Sequence, residues 1–416
     1  MDLKAGLTLG VVVVGLAVAL VVIQTADQPV KVADPALVQA EPAVVRSVVP
    51  AEVVDADAAP AAVATTDPKS KFIHYRIGQR NVKSIYADTD NVVWVGTSGG
   101  VVRYDLNTDD YTHYDLRSGL LANGVFHVSR TRQGIAVGTY GGGLAILNEQ
   151  TDEWKIYNVP EGLGDAFVYD LIEVANGDIW IATWTGVNRV IGGRLDDPDA
   201  WEVYTVANTA TGVANQGLPN DWIYGLYEGK NNDVWMATEG GLAHFNYADA
   251  SWQHWTHKDG LGVEYAQVKD SNPFQRDPAD YSSHHARQKV EQGLTGVNSA
   301  YNPNYVVAIT VDDLGRVWVG TWGAGLSRYD GKAWVTFTTA DGLPANHVFM
   351  AEYDQQGLWI GTSHGMSLLD ADGQVVRTFT TEDGLYANSV FSMARDQSGA
   401  FWVGSFGGIA RIAELH

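Results

Sequence analysis

The sequence predicts an all-β fold, a seven-bladed β-propeller, on three observations. A strand-and-turn marker recurs along the chain, the interval between markers accommodates four strands, and the composition combines 45 Gly, 14 Trp and 19 Tyr with no Cys. The marker reads aromatic-x-Gly-Thr-x-x-Gly, as in VWVGTSGGV from Val93, VWVGTWGAG from Val317 and LWIGTSHGM from Leu358. Its equivalent positions are Trp94, Ala136, Trp180, Trp235, Trp318, Trp359 and Trp402. They stand 42, 44, 55, 83, 41 and 43 residues apart, an underlying period of about 43 that identifies a repeat architecture.

Each unit opens on an Asx residue (Asn81, Asn123, Asp165, Asn220, Asn304, Asn346, Asn388) at the head of an apolar alternating strand. The marker strand follows, then a Gly-rich hairpin into a third strand such as VVRYD or LSRYD, then an aromatic fourth strand such as YTHYD or WVTFT. Short strands punctuated by Gly, Asn and Asp make an all-β array, and a radial array of four-stranded sheets is a propeller. The last unit ends shortly after its third strand, whereas FIHYRIG from Phe72 has the fourth-strand pattern but precedes the first unit. The N-terminal strand is therefore expected to complete the last blade and seal the ring against an open edge. The marker tryptophans are expected to pack between blades, and the Gly pairs to form hairpin turns, since they lead into strands and not helices.

Ahead of the repeats, Ala5 to Ile23 is uncharged and apolar, close to the roughly 20 residues that cross a bilayer as a helix. The nearest secretory cleavage site, after Ala26, has Gln24 at the minus-three position, so residues 1–26 are expected to remain as an anchor and not to leave as a signal peptide. Lys4 precedes the run and Asp27, Asp34, Glu41, Asp55 and Asp57 follow it, which orients the rest of the chain outside the cytoplasm, in the periplasm or at the cell surface. Residues 27–70 hold six of the 13 prolines among Ala, Val and acidic residues, the composition of a flexible linker. Residues 71–416 make the propeller. A hydrophobic content of 45% excludes a disordered chain, and the lack of Cys excludes a disulfide scaffold. A net charge of −22 argues against nucleic acid as a partner.

Units such as RVWVGTWGAGLSRYDGKAWVTFTTADGLPANHVF, from Arg316, resemble the repeats of two-component regulator propellers, the extracytoplasmic sensor portions of certain bacterial hybrid histidine kinases. The resemblance spans residues 71–416, with Trp-x-Gly-Thr in three copies and Asp-Gly-Leu from Asp259, Asp341 and Asp383. It implies a propeller used for binding or sensing. Nothing follows His416, so no kinase or receiver region is expected.

The candidate site lies on the face that collects the inter-blade connections and the marker hairpins. The Asx residues either close turns on their own backbone or form a polar collar at the channel mouth, for which Asn123, Asn220, Asn346 and Asn388 are the amide candidates. The residue after Gly-Thr, or its equivalent, varies by blade and supplies Tyr140, Trp184, Glu239, Trp322 and Phe406, with His364 beside Ser363. Exposed aromatics on turns point to ligand contact or to packing under a neighbouring loop. The 83-residue interval contains an insertion at about 262–303 that reaches the same face and carries Asp277, Asp280, His284 and His285. Adjacent histidines are poorly spaced for chelation from a strand, so solvated or capping roles are expected and no metal or other cofactor is assigned.

Three classes of function follow. The first is a membrane-tethered ligand-binding or sensing module for a glycan or peptide. The second is an assembly subunit docking onto other envelope proteins. The third is an enzyme of the propeller lyase type, for which His347, His364 and Glu239 would have to converge; no motif assigns catalytic residues.

Overall fold

The computed structural model describes residues 72–272, 277–297 and 300–413. The expected anchor (1–26), the expected linker (27–70) and residue 71 lie outside the described residues. Among the described residues no helix is long and apolar enough to cross a membrane.

Seven antiparallel sheets follow one another in chain order, six of them four-stranded. Blade one is typical: Ser84–Ala87, Val92–Thr97, Gly100–Asp105 and Asp110–Tyr114 pair in sequence from the inside outward. The inner strands of blades two to seven begin at Val125, Val168, Ile223, Asn302, Val348 and Val390. In blade seven Val390–Arg395 is innermost, and the run Phe401–Ile412 supplies both middle strands. Its first half pairs with the inner strand, Met393 opposite Val403, and its second half pairs with Phe72–Asn81, Tyr75 opposite Ile409. The reversal falls at Gly407 (φ +88°) and brings the Arg411 guanidinium to 5.8 Å from the Trp402 ring, nine residues back. The N-terminal strand thus closes the ring, as the repeat count requires.

The marker motif has a steric explanation. A Cβ on Gly96 would stand 2.7 Å from Val125 of the next blade, and one on Gly320 would stand 2.5 Å from the Val348 carbonyl oxygen, so glycine lets the marker strand approach the inner strand of the next blade. The following threonine closes the hairpin: Thr97 Oγ1 donates to the Gly100 carbonyl at 2.9 Å and accepts from the Gly99 amide at 3.0 Å. Trp94, Trp180, Trp318, Trp359 and Trp402 are at most 1% exposed and lie in clusters that join neighbouring blades.

Four of the seven Asx residues act as latches between blades, whereas Asp165 and Asn220 accept the amide two residues on, at Phe167 and Trp222. Asn123, Asn346 and Asn388 each accept, through Oδ1, the amide that begins the short 3-10 turn seven residues earlier, at Leu116, Thr339 and Thr381. Asn304 takes the equivalent amide of His257 at 2.6 Å, 47 residues earlier, and Asp221 takes that of Val206 at 2.6 Å. The insertion is spliced between a donor and an acceptor that still meet. It carries one helix longer than a single turn, α1 (Ser283–Glu291), capped by the Ser282 side chain.

Candidate functional site

In each inner strand, or just ahead of it in blade one, a buried Val or Ile is followed by a residue that lines the central cavity. The seven positions are Lys83, Phe126, Tyr169, Tyr224, Val307, Phe349 and Phe391, and they line a cavity of about 970 Å³ at the mouth. Their rings, joined by Tyr305 and Trp322, form a belt. Phe126 stacks on Tyr169 (4.3 Å), Tyr169 meets Tyr224 edge-on (4.9 Å), and Tyr224 meets Tyr305 (4.7 Å). Tyr305 stacks on Trp322 (5.3 Å), and Trp322, Phe349 and Phe391 follow at 5.6 and 5.2 Å. The belt is interrupted at blade one, where Lys83 stands with its ammonium 4.5 Å from the Phe126 centroid. No carboxylate pairs with Lys83 among the described residues. It opens onto the lumen but is walled in by protein, and this desolvation lowers its ammonium to about 8. Further along the channel the charge reverses: Glu352 is open to the lumen, and desolvation by the surrounding channel wall, helped by Asp170 and Asp354, raises its carboxyl to about 7.

A second stack rises from the blade-three hairpin to the insertion. Phe167 lies on Trp184 at 4.0 Å, Trp184 on Trp222 at 4.3 Å and Trp222 on His284 at 3.3 Å, all within 5° of parallel. Here α1 is also held by polar contacts. Asn220 Nδ2 donates to Gln288, Asn304 Nδ2 donates to Gln292, and Gln292 Nε2 donates to the Glu239 carbonyl. Glu239, 1% exposed, faces both histidines: His284 Nε2 is 2.8 Å from Oε2 and His285 Nδ1 is 2.7 Å from Oε1. Burial alone would raise this carboxyl, but the two imidazole contacts outweigh it and hold the group at about 2.

The residues singled out from sequence fall into separate groups. Trp322, Asn388 and Phe406 line the main cavity, Phe406 being half exposed. Tyr140 packs edge-on against Trp184 and Phe167 at the outer side of the second stack. Glu239 sits beneath α1, and His364 is exposed on the blade-six hairpin, its amide donating to Thr362 Oγ1. Asn123, Asn346 and Asn388 direct their side-chain oxygens to the latches, and Asn220 directs its oxygen to the Trp222 amide. The trio His347, His364 and Glu239 shows no mutual contact among the described residues. His347 is fully buried with Nε2 2.6 Å from the Ala300 carbonyl, and desolvation holds its imidazole down to about 4. The adjacent histidines are not strand residues. At the start of a helix they diverge in direction, and each reaches a different oxygen of Glu239. Sequence reasoning missed Lys83 and the belt; the signal is the residue after the buried aliphatic, compared across all seven inner strands.

A mouth-facing cavity on a closed seven-bladed ring defines a β-propeller. The model for the two component regulator propeller matches residues 77–99, 162–185, 217–240 and 300–323. Each stretch runs through an inner strand to a marker hairpin, so it takes in the elements that build the mouth. The chain therefore carries two component regulator propeller repeats at these four stretches. No curated protein matches it in sequence. Among solved structures it is similar to a streptogramin B lyase (13% identity, TM-score 0.55, covering 82% of this chain and 96% of that one). It is also similar to a catalytically inactive virginiamycin B lyase from Staphylococcus aureus with quinupristin (12%, 0.56, 83% and 99%). YCF48 from Cyanidioschyzon merolae is a third (10%, 0.55, 82% and 98%). At these identities the likeness is one of fold.

Proposed function

We propose that this propeller is an extracytoplasmic, membrane-tethered binding module that takes a glycan or peptide bearing an acidic group into the mouth cavity. The observation that carries the reading is the belt of rings closed by one cation. Flat apolar faces suit sugar rings or aromatic side chains, and an ammonium that lines the cavity without a carboxylate partner suits a ligand anion, because hydrogen bonds between charged groups are the stronger ones. The repeat family, with its regulator name, supports sensing. The flanking charges of the apolar run Ala5 to Ile23 support the tether and its orientation.

The full chain in detergent should bind acidic members of a glycan and peptide array. Lys83→Met should weaken that binding by about tenfold or more, on the scale of a charge-assisted hydrogen bond, and wild-type affinity should fall as pH rises through about 8, where the ammonium discharges. Binding that Lys83→Met and Phe391→Ala leave untouched would place the ligand elsewhere. If no array member binds and a stoichiometric protein copurifies from the native membrane, the assembly role takes its place.

A further inference from the structure

Glu239 is a carboxylate that the fold removes from water and surrounds with donors from two distant segments. Tyr224 of the inner strand donates to Oε2 at 3.1 Å, while His284 and His285 arrive from the insertion, 45 and 46 residues further along the chain. One ligand atom from each of Glu239, His284 and His285 falls within 4.8 Å of the others. We propose that these three side chains bind a divalent transition-metal ion of the zinc class, which fastens helix α1 onto blade four.

The donor chemistry fits. Two imidazole nitrogens and one carboxylate oxygen form a ligand set that zinc takes at about 2.0–2.2 Å, with the fourth position open. Donors around such an ion stand roughly 3.3 Å apart by tetrahedral geometry; here each imidazole approaches its own carboxylate oxygen at 2.7 or 2.8 Å, and all three ligand atoms lie within 4.8 Å of one another. The rings are already aimed: His284 lies flat on Trp222 at 3.3 Å and His285 is stacked on Tyr305 at 5.6 Å. Little side-chain freedom remains to be lost on binding.

Room for a fourth ligand is present beside the cluster. A cavity of about 20 Å³ is bounded by Glu239, His285, Tyr305 and Trp322, with Asp277 and Lys289 on its far side. That volume holds about one water molecule. The Lys289 ammonium, the nearby cation, is bridged by Asp277. The field of a chain with net charge −22 favours cation entry.

The test uses the chelator-treated full chain titrated with ZnCl2 by calorimetry. One equivalent should bind, and His284→Ala and His285→Ala should each weaken binding at least about tenfold, the scale on which even groups behind the ligands matter. Co2+ in place of Zn2+ should give visible d–d absorption that both variants lose. If natively folded wild-type protein shows neither heat nor a Co2+ spectrum, or if both folded variants keep wild-type affinity, the site is overturned. Should a variant not fold, the wild-type Co2+ spectrum decides alone, its nitrogen-ligated form supporting the site and its absence overturning it. Neither variant touches Lys83, so failure here leaves the cavity reading standing.

Discussion

Truncating Tyr75 tests the ring closure at its centre. Tyr75 belongs to the N-terminal strand, is 8% exposed, and lies between two rings: it stacks on Trp402 of blade seven (5.3 Å, 18°) and meets Tyr104 of blade one edge-on (5.3 Å, 65°). The same side chain therefore holds the closing strand in its sheet and seals the seam to the first blade. Removing a buried ring costs about 3–5 kcal/mol through lost transfer energy and the cavity left behind. The two aromatic contacts, worth about 0.5–1.5 kcal/mol each, place Tyr75→Ala in the middle of that range, near 4 kcal/mol. In urea unfolding of the full chain this appears as a lower midpoint at unchanged slope, with Val376→Ala, a 62%-exposed position on an outer strand, shifting by less than about 0.5 kcal/mol. If Tyr75→Ala shifted the midpoint no more than Val376→Ala, the N-terminal strand would not close the ring and the reasoning would fail.

Trp180→Ala, at a position with no exposure and its Nε1 donating to Tyr247 at 2.7 Å, should cost about 3–5 kcal/mol. Trp184→Ala, four residues on, should cost less but raise hydrogen exchange in α1, because its ring underlies Trp222 and His284. Glu239 is held below its usual value, so its contribution is present above about pH 4.5 and is lost as pH falls toward 2; a thermal-shift series should show this loss, and Glu239→Gln should flatten it. Asn346→Ala strands the Thr339 amide and removes donors from Ser271 and Asn272, and should cost about 1–3 kcal/mol in urea unfolding, more than the same change at Asn388.

The ring was readable because its constraints are local and repeated. Gly96, Thr97 and Trp94 each answer a steric or hydrogen-bonding need inside one hairpin or at one blade boundary, so the same or similar letters return from blade to blade, with Ala136, Ala182, Ala237 and Ser405 as the exceptions. The latches were also present in the letters, as the seven-residue spacing from Leu116 to Asn123 and from Thr381 to Asn388. The site was readable only in part. Trp322 and Phe406 stand next to the marker and attracted notice, whereas Lys83 is an ordinary lysine until the seven inner strands are superposed and the other six channel positions prove to be uncharged. The meeting of Glu239 with His284 and His285 depends on the path of an insertion without a period, and adjacency in sequence says nothing of direction until a helix start fixes it.

The bond from the His257 amide to Asn304 makes the base of the insertion a docking port for other segments. Because the two anchor points stay together however much chain lies between them, the closure entropy of a longer segment grows only slowly with its length. The same holds between Val206 and Asp221, where the blade-three connection carries a shorter excursion. The length of this segment is therefore less constrained than its contacts, because the buried side chains of Asn346 and His347 take their partners from Asn272 and Ala300 within it. Lengthening the insertion while keeping Asn272 and Ala300 should leave the melting of the seven sheets nearly unchanged.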